Sequence, residues 1–214
     1  MDFDDFVIRT SKIKDLPLPG EASHLKMVPD FRLKELRKAR AAPKHPKKAG
    51  VMALFYPDAE NTVRLLFILR KNHPKDIHAN QIGFPGGRAE KGDVDLSATA
   101  LRETREEVGI SSEKIEVLRG FTEIYIPPSN FEVKPFMGLH RTPTLFIPQV
   151  SEVAALIEVP LMDIMDESNL RTENLSTSYA RDVKVPAFRL NGYTVWGATG
   201  MMLNEMRTLL RQVL

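Results

Sequence analysis

Gly86-Gly87-Arg88-Ala89-Glu90-Lys91-Gly92-Asp93-Val94-Asp95-Leu96-Ser97-Ala98-Thr99-Ala100-Leu101-Arg102-Glu103-Thr104-Arg105-Glu106-Glu107-Val108-Gly109-Ile110 is the stretch on which the chain turns. Residues 95–108 read as a helix, and Gly109 is the left-handed stop that closes it. At about 100° per residue, Glu103, Glu106 and Glu107 fall within roughly 100° of one another on a single face. Leu101, Thr104 and Val108 lie on another face, which can be buried. Like charges one turn apart cost an isolated helix some tenths of a kcal/mol each. Arg102 reaches Glu106 one turn on, but one cation against three anions leaves a surplus. A hard divalent cation such as Mg²⁺ or Mn²⁺, which takes oxygen ligands and shares itself with phosphates, would absorb it. From the helix alone, a metal site and a solvated acidic face are equally open. The Gly86-Gly87 entry favours the metal site, because it permits close backbone approach and offers a carbonyl or amide to a metal–phosphate complex.

The rest of the sequence narrows the setting. The chain has 214 residues, 43% hydrophobic and 27% charged, enough for one domain with embellishments and a sizeable core. It contains no cysteine, so disulfides and thiolate metal sites are excluded and oxygen ligands become the default. The acidic start Met1-Asp2-Phe3-Asp4-Asp5 is unlike a signal peptide, and no apolar run is long enough to span a bilayer. A cytoplasmic protein without a membrane partner is therefore expected. The net charge of +2 hides an asymmetry: residues 32–48 hold eight Lys/Arg against Glu35 alone, and the remainder is acidic. Such a run can contact nucleic acid or phosphate, but a solvated connector is the plainer reading, so no nucleic-acid partner is expected.

Working outward, residues 2–15 and 30–41 read as helices, the second leading into the Pro43-Lys44-His45-Pro46 linker. Residues 51–56 and 62–69 form a hairpin, and 82–84 a short strand before the glycines. Strands are expected over 115–126, 131–140 and 152–159, then a short helix at 160–167. Asn191-Gly192 joins hairpin strands 183–190 and 193–196, and an amphipathic helix at 198–213 turns Met202, Met206, Leu209 and Val213 inward. The expectation is an α/β (α+β) fold, a mixed β-sheet clasped between helices, with residues 1–49 as an N-terminal helical extension and basic linker to a main domain at 50–214.

The run Gly87–Ile110 resembles a Nudix box, G-x5-E-x7-R-E-U-x-E-E-x-G-U, with Arg102-Glu103, Glu106-Glu107, Gly109 and Ile110 in register. Gly87 and Arg102 are fifteen positions apart rather than fourteen, leaving the pattern's first acid without a counterpart. Asp93 is nearest counting forward, and Thr104 replaces the first aliphatic. The longer spacing is similar to that of the coenzyme A pyrophosphatase branch. So is the approach His78-Ala79-Asn80-Gln81-Ile82-Gly83-Phe84-Pro85-Gly86-Gly87, in which Asn80 stands where that branch has glycine, and so are Ser151–Ala154 and Val195–Thr199.

The resemblance implies a Nudix-type α/β/α sandwich and Mg²⁺- or Mn²⁺-dependent hydrolysis of coenzyme A, or its thioesters, to 3′,5′-ADP and (acyl-)4′-phosphopantetheine. It implies Glu103 and Glu107 as metal ligands, Glu106 as a third, the Gly87 carbonyl as a further ligand, and Arg102 as the group that orients the carboxylates. Glu152 resembles the late acid that completes the metal site or serves as base in several such enzymes, and an ordinary sheet-edge glutamate is an equally open reading. Arg70, Lys71, Lys75 and His78, with Gly86 and Gly87, are the candidate substrate contacts, though His78 could equally cap or bond the Gly-Gly turn. Tyr125, Phe131 and Phe136 could stack on adenine but sit at the spacing of core residues, and Trp196 reads as packing for the last helix. Two rivals stay open: a Nudix enzyme for ADP-ribose, a dinucleotide or a nucleoside triphosphate, and a catalytically silent nucleotide- or RNA-binding module. A homodimer is also open.

Overall fold

The structure, a computed structural model, describes residues 1–29, 32, 33, 36, 38, 45–72, 78–175 and 182–214. Most of the helix expected over 30–41, and Lys75, lie outside the described residues. Helix α1 (Phe3–Thr10) is capped by Asp2, whose carboxylate accepts from the amides of Asp4 and Asp5. A 3-10 turn (Ser11–Asp15) and α2 (Glu21–Leu25) follow. The main sheet begins with β1 (Lys47–Pro57) and β2 (Val63–Arg70), then β3 (Ile82–Gly83) and β4 (Gly86–Arg88). Helix α3 (Leu96–Val108) carries the glutamates. Next come β5 (Ile115–Gly120), β6 (Ile124–Ile126), β7 (Phe131–His140), β8 (Val153–Pro160) and α4 (Leu161–Met165). The chain finishes with β9 (Leu170–Leu175), β10 (Val183–Leu190), β11 (Tyr193–Val195) and α5 (Gly197–Leu210).

The large sheet runs β3-β2-β1-β7-β5, with β4 on β1, β6 on β7 and β8 on β2; a second sheet runs β11-β10-β9. The β1–β7 pairing is parallel and the others antiparallel, so the sheet is mixed as expected. A central strand buried on both faces loses simple polar alternation, which is why β1 reads as an almost unbroken apolar run. Its alternation sorts two cores instead. Ala49, Val51, Ala53 and Phe55 pack with Phe3, Phe6, Met27 and the α5 residues Met202, Met206 and Leu209. Met52, Leu54 and Tyr56 pack with Ala100 and Val108 of α3. The N-terminal helix therefore shares the main core, and Arg119 fastens the following turn by donating to the carbonyls of Ile13 and Leu16.

Three departures have local causes. The strand expected over 115–126 is interrupted at 121–123: Phe121 N–H bonds the Pro135 carbonyl at 2.8 Å, but Pro135 has no N–H to return, and pairing resumes at Ile124↔Val133. Strand β4 was not expected, because Gly-Gly-Arg has no side-chain pattern and is held by its register on Ala49–Val51. Strand β9 is likewise not expected from the sequence; none of its residues is buried, and Leu-Arg-Thr-Glu-Asn-Leu has no period-two apolar signal. Asn80 has φ +60°, a left-handed conformation that asparagine tolerates better than most residues, which explains its place where the resembled branch has glycine.

The N-terminal segment is tied to α5 by a buried polar clasp. His24 and Glu205, 1% and 0% exposed, meet at 2.9 Å between Nε2 and Oε2. Glu205 also accepts from the Thr122 hydroxyl at 2.6 Å and the Gly20 amide at 3.1 Å. Burial alone would raise the Glu205 pKa, but the hydrogen bonds from His24 and Thr122 outweigh it and the pKa is lowered. Asn204 Nδ2 donates to the Ser23 carbonyl at 2.8 Å beside it.

Candidate active site

Helix α3 starts where Asp95 accepts from the Ala98 amide at 2.8 Å and ends at Gly109, φ +78°, whose N–H bonds Arg105 O. It lies so close to β1 that a Cβ on Gly50 would come within 2.1 Å of the Leu96 carbonyl oxygen. Only glycine permits that backbone-to-backbone approach. Gly86 is equally constrained: its φ is +148°, and a Cβ would sit 2.5 Å from Gly50 O. These two glycines fix the distance between the helix and the Gly86-Gly87 strand.

Across that gap the Gly86 N–H donates to Glu107 Oε2 at 2.8 Å. Glu107 is thus not on an exposed acidic face; it is 2% exposed, among the residues α3 buries. Burial pushes its carboxyl up to about 8, against the opposing pull of the Gly86 hydrogen bond and the Arg70 charge, with Glu103 and Glu152 reinforcing the rise. Glu103 is raised too, first by burial, then by Glu106 and Glu152, while Arg102 counteracts. A Cβ on Gly87 would fall 2.6 Å from the Glu103 carboxylate, so the Gly87 backbone and that carboxylate face one small space.

Arg102 organises the other side. Its Nη1 donates to Glu103 at 3.0 Å and Glu106 at 3.1 Å, its Nη2 to Arg88 O at 3.0 Å, and it grips Asp93 through Nε at 3.0 Å and Nη2 at 3.1 Å. The Arg102 guanidinium holds the Asp93 carboxyl well below the usual carboxylate range. Asp93 also accepts from Thr99 Oγ1 and the Glu90 amide, both at 2.9 Å. Sequence reasoning noted Asp93 only as the nearest acid to a missing position. Its role as the arginine's anchor follows from the loop carrying it back over α3, which spacing does not encode.

The candidates do not all converge. Glu106 is half exposed. Glu152 is exposed just ahead of β8, yet its charge acts on both Glu103 and Glu107. Arg70 and His78 line a cleft of about 230 Å³ that reaches Gly86. Lys71 does not; its Nζ donates to the Val150 carbonyl at 2.6 Å on the surface, because β2 has ended and the side chain leaves the cleft side. Tyr125 and Trp196 line the cleft, whereas Phe131 and Phe136 do not. His24 is half of the clasp; its partner is 181 positions away and no local pattern links them.

Among the described residues no three His, Asp or Glu side chains stand gathered ready to hold a cation. The donor set nonetheless suits a hard one. Two desolvated carboxylates with raised pKa values, a facing glycine backbone and a nearby third acid would all be stabilised by a divalent charge that displaces the proton from Glu107 and relieves the repulsion.

The arrangement is that of a hydrolase built on a carboxylate helix, and the comparisons specify which. The NUDIX domain model matches residues 44–174. "Uncharacterized Nudix hydrolase NudL" of Pectobacterium atrosepticum is 35% identical over 148 residues, 66% of this chain and 72% of that protein. "Nudix hydrolase 22, chloroplastic" of Arabidopsis thaliana is 26% identical over 173 residues, 78% of this chain but 56% of the relative. Among solved structures, the Nudix hydrolase RenU from M. smegmatis superposes with a TM-score of 0.54 at 14% identity, covering 79% of this chain and 88% of that one, a likeness of fold alone. The chain belongs to the Nudix hydrolase family. It is a pyrophosphohydrolase of that family, whose members act on small nucleotide substrates and generally use divalent metals. Among the described residues no helix is long and apolar enough to cross a membrane.

Proposed function

We propose that the chain hydrolyses the diphosphate of coenzyme A, or of its thioesters, with Mg²⁺ or Mn²⁺, releasing 3′,5′-ADP and (acyl-)4′-phosphopantetheine in the cytoplasm. The carrying observation is the shared Gly86. One side of it anchors the buried Glu107 carboxylate, and the other opens onto the cleft lined by Arg70 and His78. The fifteen-position spacing and the His78–Gly87 approach, both similar to the coenzyme A branch, support this substrate over other diphosphates. In this reading residues 50–214 are the catalytic unit and 1–49 an extension that packs into its core.

Glu103 and Glu107 would hold the metal, Glu106 and the Gly87 carbonyl would complete its oxygen ligands, and Arg102 would keep Glu103 and Glu106 aimed. Bound there, the metal supplies charge neutralisation at the diphosphate and a lowered pKa for water. Arg70 and His78 orient the substrate from the cleft. Glu152, within electrostatic reach of both buried glutamates, is positioned to take the proton of the attacking water. The water oxygen bonds to phosphorus, the bridging P–O bond breaks, and the leaving phosphate keeps the electron pair.

Incubation with coenzyme A and either metal, with products separated by chromatography, tests the proposal. Equimolar 3′,5′-ADP and 4′-phosphopantetheine are expected. Intact coenzyme A alongside cleaved ADP-ribose would overturn the substrate, and salt-dependent RNA binding without any hydrolysis would overturn the catalytic reading.

A further inference from the structure

The cleft that reaches Gly86 is also walled by two parts of the chain that the box does not include. Met27, Val28 and Pro29 of the N-terminal segment line it on one side. Trp196, Met201 and Met202, at the start of α5, line it on another. These walls are held in fixed relation. The His24–Glu205 clasp and the Asn204–Ser23 hydrogen bond join the segment to α5 immediately beside Met27. Gly200 makes room for it, since a Cβ there would stand 3.2 Å from Met27 Cε. The segment therefore belongs to the binding apparatus as well as to the core.

The chemistry of the lining differs between the elements that build it. Arg70, His78 and Gln81 come from the elements that deliver the chain to Gly86. Residues 27–29 contribute a methionine, a valine and a proline, with Arg32 and Leu36 further along the segment; the start of α5 adds the indole, two methionines, Ala198 and Thr199, whose hydroxyl donates to the Ile82 carbonyl at 3.0 Å. A phosphorylated group belongs at the first end. Methionine-rich walls conform to a flexible, largely apolar chain. A base would ask for fixed donors and acceptors along its edge.

We infer that Met27–Pro29 together with Trp196, Met201 and Met202 form a subsite for the non-nucleotide arm of the substrate, a flexible chain of methylenes and amides of the pantetheine type. The nucleotide half lies outside it. This assignment rests on the coenzyme A reading and adds to it which half of the molecule the cleft holds and which residues select it.

Trp196 is the chain's single tryptophan and reports directly from this wall. The full chain, in EDTA, is titrated separately with coenzyme A, 4′-phosphopantetheine and 3′,5′-ADP while indole emission is recorded. Coenzyme A and 4′-phosphopantetheine are expected to shift the emission saturably, and 3′,5′-ADP is not. A shift by 3′,5′-ADP with none by 4′-phosphopantetheine would overturn the assignment, as would no shift by any of the three. In parallel, Gly200→Ala, which favours the helix but crowds Met27, and Met201→Gln are expected to raise KM for coenzyme A roughly three- to tenfold with kcat unchanged. An unchanged KM in both variants overturns the subsite. If the parent binds 4′-phosphopantetheine at Trp196 but leaves coenzyme A uncut, the subsite stands and the proposed substrate falls.

Discussion

Replacing Glu107 by glutamine separates the electrostatics of the site from its packing. The amide has the same volume, and its oxygen can still accept from Gly86 N–H, so the geometry is retained while the ionisable proton is lost. The carboxyl rises from its ordinary 4.5 to about 8 on burial. The folded state thus holds a proton that the unfolded chain has released, and stability is greatest below pH 4.5 and falls as pH climbs towards 8. At 1.36 kcal/mol per pH unit the cumulative loss has a ceiling of about 5 kcal/mol, and water entering the site reduces it to roughly 2–3 kcal/mol. A chain of this size shifts its melt by about 2–4 °C per kcal/mol. Glu107→Gln should therefore melt roughly 4–12 °C above the parent at pH 8 in EDTA, with the difference closing by pH 5. Adding Mg²⁺ should raise the parent's melt and leave the variant's nearly unchanged, while turnover falls at least about 10²-fold. Thermal melts at pH 5, 6.5 and 8, with and without metal, read the stability changes, and a steady-state assay of the variant reads the turnover. A parent melt independent of pH, a variant less stable at pH 8, or a variant that keeps its turnover would refute the reasoning.

Asp93→Asn removes the charge that Arg102 grips; kcat should drop roughly 10- to 100-fold with a stability loss of about 1–2 kcal/mol, measured by steady-state kinetics and urea denaturation. Gly87→Ala places a methyl against the Glu103 carboxylate and should lower activity at least about tenfold while the metal-free melt moves by only a few degrees. Lys71→Ala, in contrast, should keep kcat/KM within about twofold of the parent, because the ammonium is spent on the Val150 carbonyl; a larger loss would return Lys71 to the substrate contacts.

The parts of this protein that were legible in advance are those in which a local rule acts alone. Helix α3 announced itself through its periodicity and Gly109, and the β10–β11 hairpin through Asn191-Gly192. The glutamates were legible as residues but not as environments. That Glu107 is buried while Glu106 is half exposed depends on Gly50 and Gly86 drawing a strand against the helix, a long-range packing condition. The grip of Asp93 on Arg102 and the surface course of Lys71 were hidden for a related reason, since a loop's return path and the direction of a side chain after a strand ends are set by partners distant in sequence. The His24–Glu205 clasp was wholly illegible, as nothing near either residue requires the other.

Strand β1 presents alternate residues to two separate cores, with the carboxylate helix behind one face and the cleft in front of the other. On the proposed reading, hydrolysis and selection lie on different faces of one sheet, joined at Gly86. Substitutions that reshape the methionine-lined side need not disturb the helix, and those that retune the carboxylates need not alter what fits the cleft. A lineage built this way can change its substrate by rewriting the outer wall while inheriting the hydrolytic centre intact, and Gly86, which both sides share, is constrained in either process.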